Sequence, residues 1–528
     1  MMSRRVGLEL EVVDLTIRSA TDSEEEEIVF SRTALLPNQP LPSIPSLRKE
    51  LSLFNGVTLI VGAIIGSGIF FTPKIVLYHT GSLGVSMVAW MVGALIALAG
   101  SLCYMELGLL VRSSGGEYSF LLEGYSFNRR NKGTTLLGGC IAFLYIWCSV
   151  FIVRPGSFAI LTLTCAHYLA QPFFIDCSAP EAVVKLIALA IVISVGAVNV
   201  YSVRLTAQII AVVTVLKLFA VLFIALLGIA TLISRRSFPE DPHNWFTPRE
   251  GFQLTASNLA LAFYGVLWSY DGWSVIFFAF EETKNVEKTL PRSLFIAVPI
   301  VALCYLLVNI SYFGVLSYQQ ILAGEAIALT FGSAVLGRAG LVLFPLMVAL
   351  STCGASVGGV YSGSRVSFVA ARDGMLPAFL SGLHTSYQTP LPAIILHVFG
   401  GCALILIGDI SELLNGLSAV IYLFYTLIFS SVLIMRVTRR REPRPFKAWF
   451  IVPVTLFSIA ASLFLTFLPL QQNPVPSLVA FGVMLLGLPV YFLVVMETPW
   501  RLRPRLLDVI TKKLTKFTGN LLNTQLAK

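Results

Sequence analysis

The sequence predicts an all-α membrane protein of twelve transmembrane helices. The first ten are expected as two inverted five-helix repeats, with helices one and six broken. Three observations carry this. The 528 residues are 56% hydrophobic and only 12% charged, with a mean hydropathy of +0.81, which is not the composition of a soluble protein. Apolar runs long enough to span a bilayer, which takes about 20 residues, recur between residues 54 and 496. Two of these runs, the first and the sixth, carry glycine at their centres.

The apolar segments fall at 54–78, 84–111, 135–165, 181–200, 206–233 and 254–280, then at 292–316, 332–369, 391–407, 411–435, 449–470 and 476–496. The third and eighth are long, which predicts tilt or an extension beyond the bilayer. Residues 1–50 are polar, with an acidic run from Glu24 to Glu27, and read as a disordered cytoplasmic tail. Residues 51–497 form the twelve-helix domain. Residues 498–528 place Leu506, Leu507, Ile510, Leu514 and Phe517 at helical spacing among Lys and Arg, the pattern of a basic amphipathic helix on the inner membrane face.

The net charge of +9 does not point to nucleic acid, because the cations concentrate in loops on one side. With the N-terminus inside, Arg129, Arg130, Arg204, Lys284, Arg372 and the run around Arg439 share the inner side, while Asp176, Glu325 and Asp409 lie opposite. The positive-inside rule then puts both termini in the cytoplasm. The eight cysteines form no CxxC pair, so neither a metal site nor a disulfide scaffold is indicated, and no cofactor is called for. Cys177 alone sits in a polar loop, on the outer side. No Walker loop or GxSxG is present, and the five histidines are scattered. An enzyme is not expected.

The first segment reads Val61 to Pro73, VGAIIGSGIFFTP. Glycine weakens a helix by roughly 1 kcal/mol relative to Ala, and open backbone at membrane depth survives only where it is buried or lines a cavity. The same small residues also serve close helix packing. Segment six repeats the peculiarity with Asp271-Gly272 after Trp268. Interrupted segments in corresponding halves point to a transporter site between inverted repeats. Half-helix N-termini there favour a carboxylate, and freed carbonyls with an acid favour an ammonium. A zwitterionic amino acid matches both. A channel or receptor lacks support, since neither a continuous polar pore nor a ligand domain is visible. Asp271 is an intramembrane carboxylate, costly by roughly 2.5–3.5 kcal/mol and functional by default, the alternative being a structural hydrogen-bond acceptor at the break. Lys217, within segment five, is costly unless paired and reads as either functional or structural. Arg154 on segment three is placed to contact either substrate or headgroups. Glu281 and Glu282 end segment six and can pair with Arg365 or Arg372.

The motifs GSGIFFTP (66–73), GGEYSFL (115–121), RPGSFAI (154–160), YDGWS (270–274) and EETKNVEKTLPRS (281–293) resemble the light subunits of heteromeric amino-acid transporters. These form the L-type (LAT) family of the amino acid–polyamine–organocation superfamily. AARDGMLP (370–377) and GDISELLN (408–415) extend the resemblance over roughly residues 50–500. LWSYDGWS, VRPGSFAI and IMRVTRR are closest in look to the system b-zero-plus branch, which exchanges cationic amino acids and cystine for neutral ones. The neutral L-type and the y+L-type are the alternatives.

The resemblance implies a LeuT-like fold with the substrate carboxylate on Ile64, Ile65, Gly66, Ser67 and Gly68, and an aromatic gate at Trp268. Asp271 matches an acid of the b-zero-plus type. Lys217 matches a lysine that stands in for the sodium of related folds, and implies sodium-independent exchange. Cys177 matches the cysteine that ties the light chain to a single-pass glycoprotein heavy chain at the plasma membrane. The chain departs from the family at Ser274, where asparagine is usual, near Phe277, where a polar amide is usual, and in the basic insert at 126–137. The first two leave the side-chain pocket unassigned.

Overall fold

The chain divides into two units, residues 1–44 and 45–528. The computed structural model describes residues 49 and 51–495 apart from 67, 127–134, 175–178, 236–237, 250, 324–326, 408–409, 448–449 and 469–473, together with 513, 516–519 and 521–526. The expected 1–50 tail except Lys49, most of the basic insert, Ser67 and Cys177 therefore lie outside the described residues.

The described residues of the second unit are helical almost throughout. In order they form α1 (Leu53–Ile64), α2 (Gly68–Thr80), α3 (Leu83–Val111), α4 (Glu117–Gly124), α5 (Leu136–Cys148), α6 (Arg154–Ala170), α7 (Glu181–Tyr201), α8 (Val203–Arg235) and α9 (Ala256–Tyr270). There follow α10 (Val275–Phe278), α11 (Val286–Val315), α12 (Tyr318–Ala323), α13 (Ile327–Leu336), α14 (Gly340–Arg372), α15 (Leu391–Ile407), α16 (Ile410–Thr438), α17 (Ile451–Phe467) and α18 (Pro474–Val490). Seven helical stretches among these are long and apolar enough to cross a membrane, and shorter apolar helices such as Leu53–Ile64 and Ile451–Phe467 accompany them.

Sequence explains the helices and their sidedness. α8 turns Val212, Phe219, Leu222 and Leu226 outward while burying Ile210, Thr214, Lys217, Val221 and Ile224. A helix apolar on its outer face, with the polar Thr214 and Lys217 turned inward, is the pattern of a bundle surrounded by lipid. The long third segment is α5 and α6 joined by a π-helical turn, Ser149–Val153. Such turns mark places where a helix is re-aimed, often at functional sites.

The bundle is organised about its first piece. α1 packs on α8, α11 and α14, α2 packs on α9, and α6 packs on α14. Of the amphipathic helix expected in the C-terminal tail, Leu506, Leu507, Ile510 and Leu514 lie outside the described residues, while 513, 516–519 and 521 are helical. Residues Thr524–Leu526 run as a strand (β2) antiparallel to Gly382–His384 (β1), with Leu383 opposite Gln525. β1 follows α14 and offers a free backbone edge, which the tail satisfies.

Candidate functional site

α1 stops at Ile64 and α2 starts at Gly68, with Ile65 already out of the helical region at φ −74°, ψ 82°. α9 stops at Tyr270. Asp271 follows in extended geometry, and Gly272 has φ +117°. The two interruptions lie against each other. A Cβ on Gly272 would sit 2.9 Å from the Ala63 carbonyl carbon, and one on Gly68 would sit 2.8 Å from the Ser269 Cα. Gly68 therefore packs helix against helix, whereas a Cβ on Gly66 would meet only ordinary contact at 3.6 Å.

A helix end buried in lipid must find partners for its last carbonyls. Lys217 of α8, 2% exposed, donates from Nζ to the Gly62 carbonyl at 2.7 Å and the Ile65 carbonyl at 2.8 Å. Ser351 of α14 donates towards the Gly66 carbonyl at 3.0 Å and the Ile65 carbonyl at 3.2 Å. The Tyr305 hydroxyl lies 2.8 Å from the carbonyls of both Ile64 and Ser269, tying the two interruptions together. A second tie is Thr72 Oγ1 to Ser269 Oγ, 2.7 Å.

Between the interruptions lies a cavity of about 170 Å3. Its lining includes Ile64, Gly66 and Gly68 from the first interruption, and Trp268, Asp271, Gly272 and Ser274 from the second. Glu117, Tyr145, Arg154, Ser362 and Tyr425 complete its polar wall. The Asp271 carboxylate accepts from the Tyr425 hydroxyl at 2.8 Å. Glu117 is buried, accepts from Tyr145 at 3.2 Å, and lies 3.8 Å from the Arg154 guanidinium.

Of the residues singled out from sequence, Ile64, Gly66, Gly68, Trp268, Asp271 and Arg154 come together on this cavity. Ile65 is fully buried and is not among the lining residues; its carbonyl faces Lys217 and Ser351. Lys217 serves the first interruption from behind rather than the cavity itself. Sequence reasoning assigned no role to Glu117, Tyr145, Tyr305, Ser351 or Tyr425. Of these only Glu117 carried a signal, an acid following two glycines at the edge of an apolar run.

A second charged layer lies one helical turn beyond Ser362 on α14. Arg365 donates to Glu282 at 2.7 and 3.3 Å, and the Tyr361 hydroxyl also reaches that carboxylate. Arg372 pairs with Glu281 at 3.1 Å. Leu51, just before α1, hydrogen-bonds through its backbone to the Glu282 carbonyl and the Lys284 amide, closing the same end. Among the described residues, no group of three or more His, Cys, Asp or Glu is placed to hold a metal ion.

Residues 51–495 match the family model described as amino acid permease. The chain is 37% identical over 433 residues to the human b(0,+)-type amino acid transporter 1, covering 82% of this chain and 85% of that protein. It is 35% identical to the human cystine/glutamate transporter, covering 89% of each. It is 34% identical to the mouse large neutral amino acids transporter small subunit 2, covering 89% of this chain and 85% of that one.

Proposed function

The chain belongs to the amino acid permease family, and from that premise we propose that it is the light chain of a sodium-independent amino-acid exchanger. It moves amino acids across a membrane and is a transporter rather than an enzyme. The finer reading is exchange of cationic amino acids or cystine for neutral ones by alternating access. The observation that carries it is the cavity held between two helix interruptions, with Gly66 and Gly68 at one wall and Asp271 at the other. A zwitterion fits there. Its carboxylate meets the amides at the start of α2, beside Gly66 and Gly68, and its cationic groups meet Asp271, with Trp268 closing over them.

The same reading extends to architecture. Twelve spans over residues 51–497 place α1 with α2, and α9 with α10, as the mates of two inverted five-helix repeats. The pairing of α3 with α11 and of α6 with α14 supports it. The Lys217 ammonium, bonded to the Gly62 and Ile65 carbonyls, supplies the fixed positive charge that a bound sodium would otherwise provide. Both termini are assigned to the cytoplasm, which puts the Glu282–Arg365 layer on the inner side and describes a carrier closed inward. At the plasma membrane, Cys177 is assigned to the disulfide with a single-pass glycoprotein heavy chain.

Counterflow in proteoliposomes tests the function. Labelled arginine enters leucine-loaded vesicles faster than empty ones, with or without sodium, and Asp271→Gly lowers arginine uptake more than leucine uptake. Equal uptake into loaded and empty vesicles rejects exchange, and parallel loss of both substrates in the variant rejects the role of Asp271. For the partner, Cys177→Ser abolishes a reducible high-mass band on a non-reducing gel of cell membranes, and an unchanged gel rejects that assignment.

A further inference from the structure

The central cavity carries more charge than recognition of a zwitterion requires. Glu117, at the start of α4, and Arg154, at the start of α6, both line it together with Asp271. Arg154 is the only cationic side chain among the described lining residues. Its Nη2 lies 3.8 Å from Glu117 Oε2, its Nη1 donates to Ser362 Oγ at 3.4 Å, and its guanidinium covers the Phe278 ring at 4.6 Å. The Glu117 side chain is 4% exposed and that of Arg154 21%. Tyr145 and Tyr104 donate to the two Glu117 oxygens at 3.2 and 3.4 Å. The acid is thus fixed deep in the wall by two tyrosines, and the arginine stands between it and the open space.

We propose that Glu117 is a specificity-determining residue that excludes anionic side chains by holding the charge of Arg154. This rests on the reading of the chain as an amino-acid exchanger. With Arg154 neutralised by Glu117, the cavity presents the surplus negative charge of Asp271. A substrate with a second carboxylate meets no free cation there and must leave its own charge unpaired in a confined site, a heavy cost. A substrate with a neutral or cationic side chain carries no such cost. Discrimination comes from the repulsive element, the carboxylate already in possession of the only cation, rather than from a contact to the preferred substrate. Glu117 acts through Arg154 and is a positioning residue.

The full chain in proteoliposomes preloaded with leucine, offered labelled glutamate, leucine or arginine at equal concentration, decides the matter. The wild type takes up glutamate far more slowly than leucine. Glu117→Gln raises the glutamate-to-leucine ratio about tenfold, the equivalent of about 1.4 kcal/mol, with the glutamate KM falling rather than all rates moving together. Adding Arg154→Gln to that variant cancels the gain. Arg154→Gln alone, which strips the counter-charge from Glu117 and Asp271, raises the arginine-to-leucine ratio instead. An unchanged glutamate-to-leucine ratio in Glu117→Gln overturns the proposal, as does a gain that survives loss of Arg154. If Glu117→Gln yields no folded transporter, an unchanged arginine-to-leucine ratio in Arg154→Gln overturns it. A wild type that moves leucine and glutamate equally rejects this inference alone, whereas one that moves none of the three rejects the exchanger reading with it.

Discussion

Two glutamate–arginine pairs stand one helical turn apart along α14, and they are built differently. Beside Ser362, Arg154 meets Glu117 through a single 3.8 Å contact and faces the cavity. Beyond it, Arg365 grips Glu282 with two hydrogen bonds of 2.7 and 3.3 Å, stacks 3.5 Å over the Tyr361 ring, and leaves its side chain 1% exposed and that of its partner 0%. The loose pair is within reach of a ligand. The tight pair is out of reach of any ligand, and opens only if α14 and the end of the α9–α10 segment part. Burial and geometry, not residue type, set the two pairs apart.

That contrast is open to breakage. Arg365→Leu leaves a fully buried carboxylate without its counter-charge, which costs about 3–5 kcal/mol. Thermal unfolding of the purified protein should show the largest loss here, and Arg365→Leu with Glu282→Leu should recover most of it. A loss below about 1 kcal/mol would mean that the closing layer is not sealed. Next comes Lys217→Met, which strips the bonds to the Gly62 and Ile65 carbonyls but also removes the buried charge itself, so that the loss is about 1.5–3 kcal/mol in all. It should lower counterflow about tenfold with a smaller drop in melting temperature than Arg365→Leu. At the bottom of the scale is Arg112→Ala. Its 2.8 Å pair with Glu287 is 56% and 59% exposed, and such pairs contribute about 0.2–1 kcal/mol. A melt shift there comparable to that of Arg365→Leu would show that burial is not the ordering variable.

Much of the site was legible because its chemistry violates what lipid permits. Gly66-Ser67-Gly68 and Asp271-Gly272 were read as interruptions, and the helices do end at Ile64 and Tyr270. Lys217 stood out because an ammonium in an apolar run demands partners. Those partners were not legible: the carbonyls of Gly62 and Ile65 are backbone groups, and sequence does not say which of them a helix end leaves bare. Tyr305 was silent for another reason. One tyrosine in an apolar span looks like core, and only its hydroxyl, between the Ile64 and Ser269 carbonyls, gives it a role. Glu117 lay in the short helix α4, outside the apolar runs that organised the reading. Ile65 belongs to the carboxylate stretch that the resemblance implies; its carbonyl is taken up by Lys217 and Ser351.

Sequence by itself determined the class of molecule, the glycines at the centres of its first and sixth apolar segments, and the presence of an acid and a lysine within apolar runs. These follow from local composition, because lipid penalises each exposed polar group wherever it lies. Tertiary structure alone decided which glycine packs and which opens a cavity, and that the two interruptions share Tyr305. It also decided that Arg154 faces Glu117 while Arg365 faces Glu282. Each of these pairings joins residues far apart in the chain, and charge neutralisation depends on distances of a few ångströms that no single segment encodes.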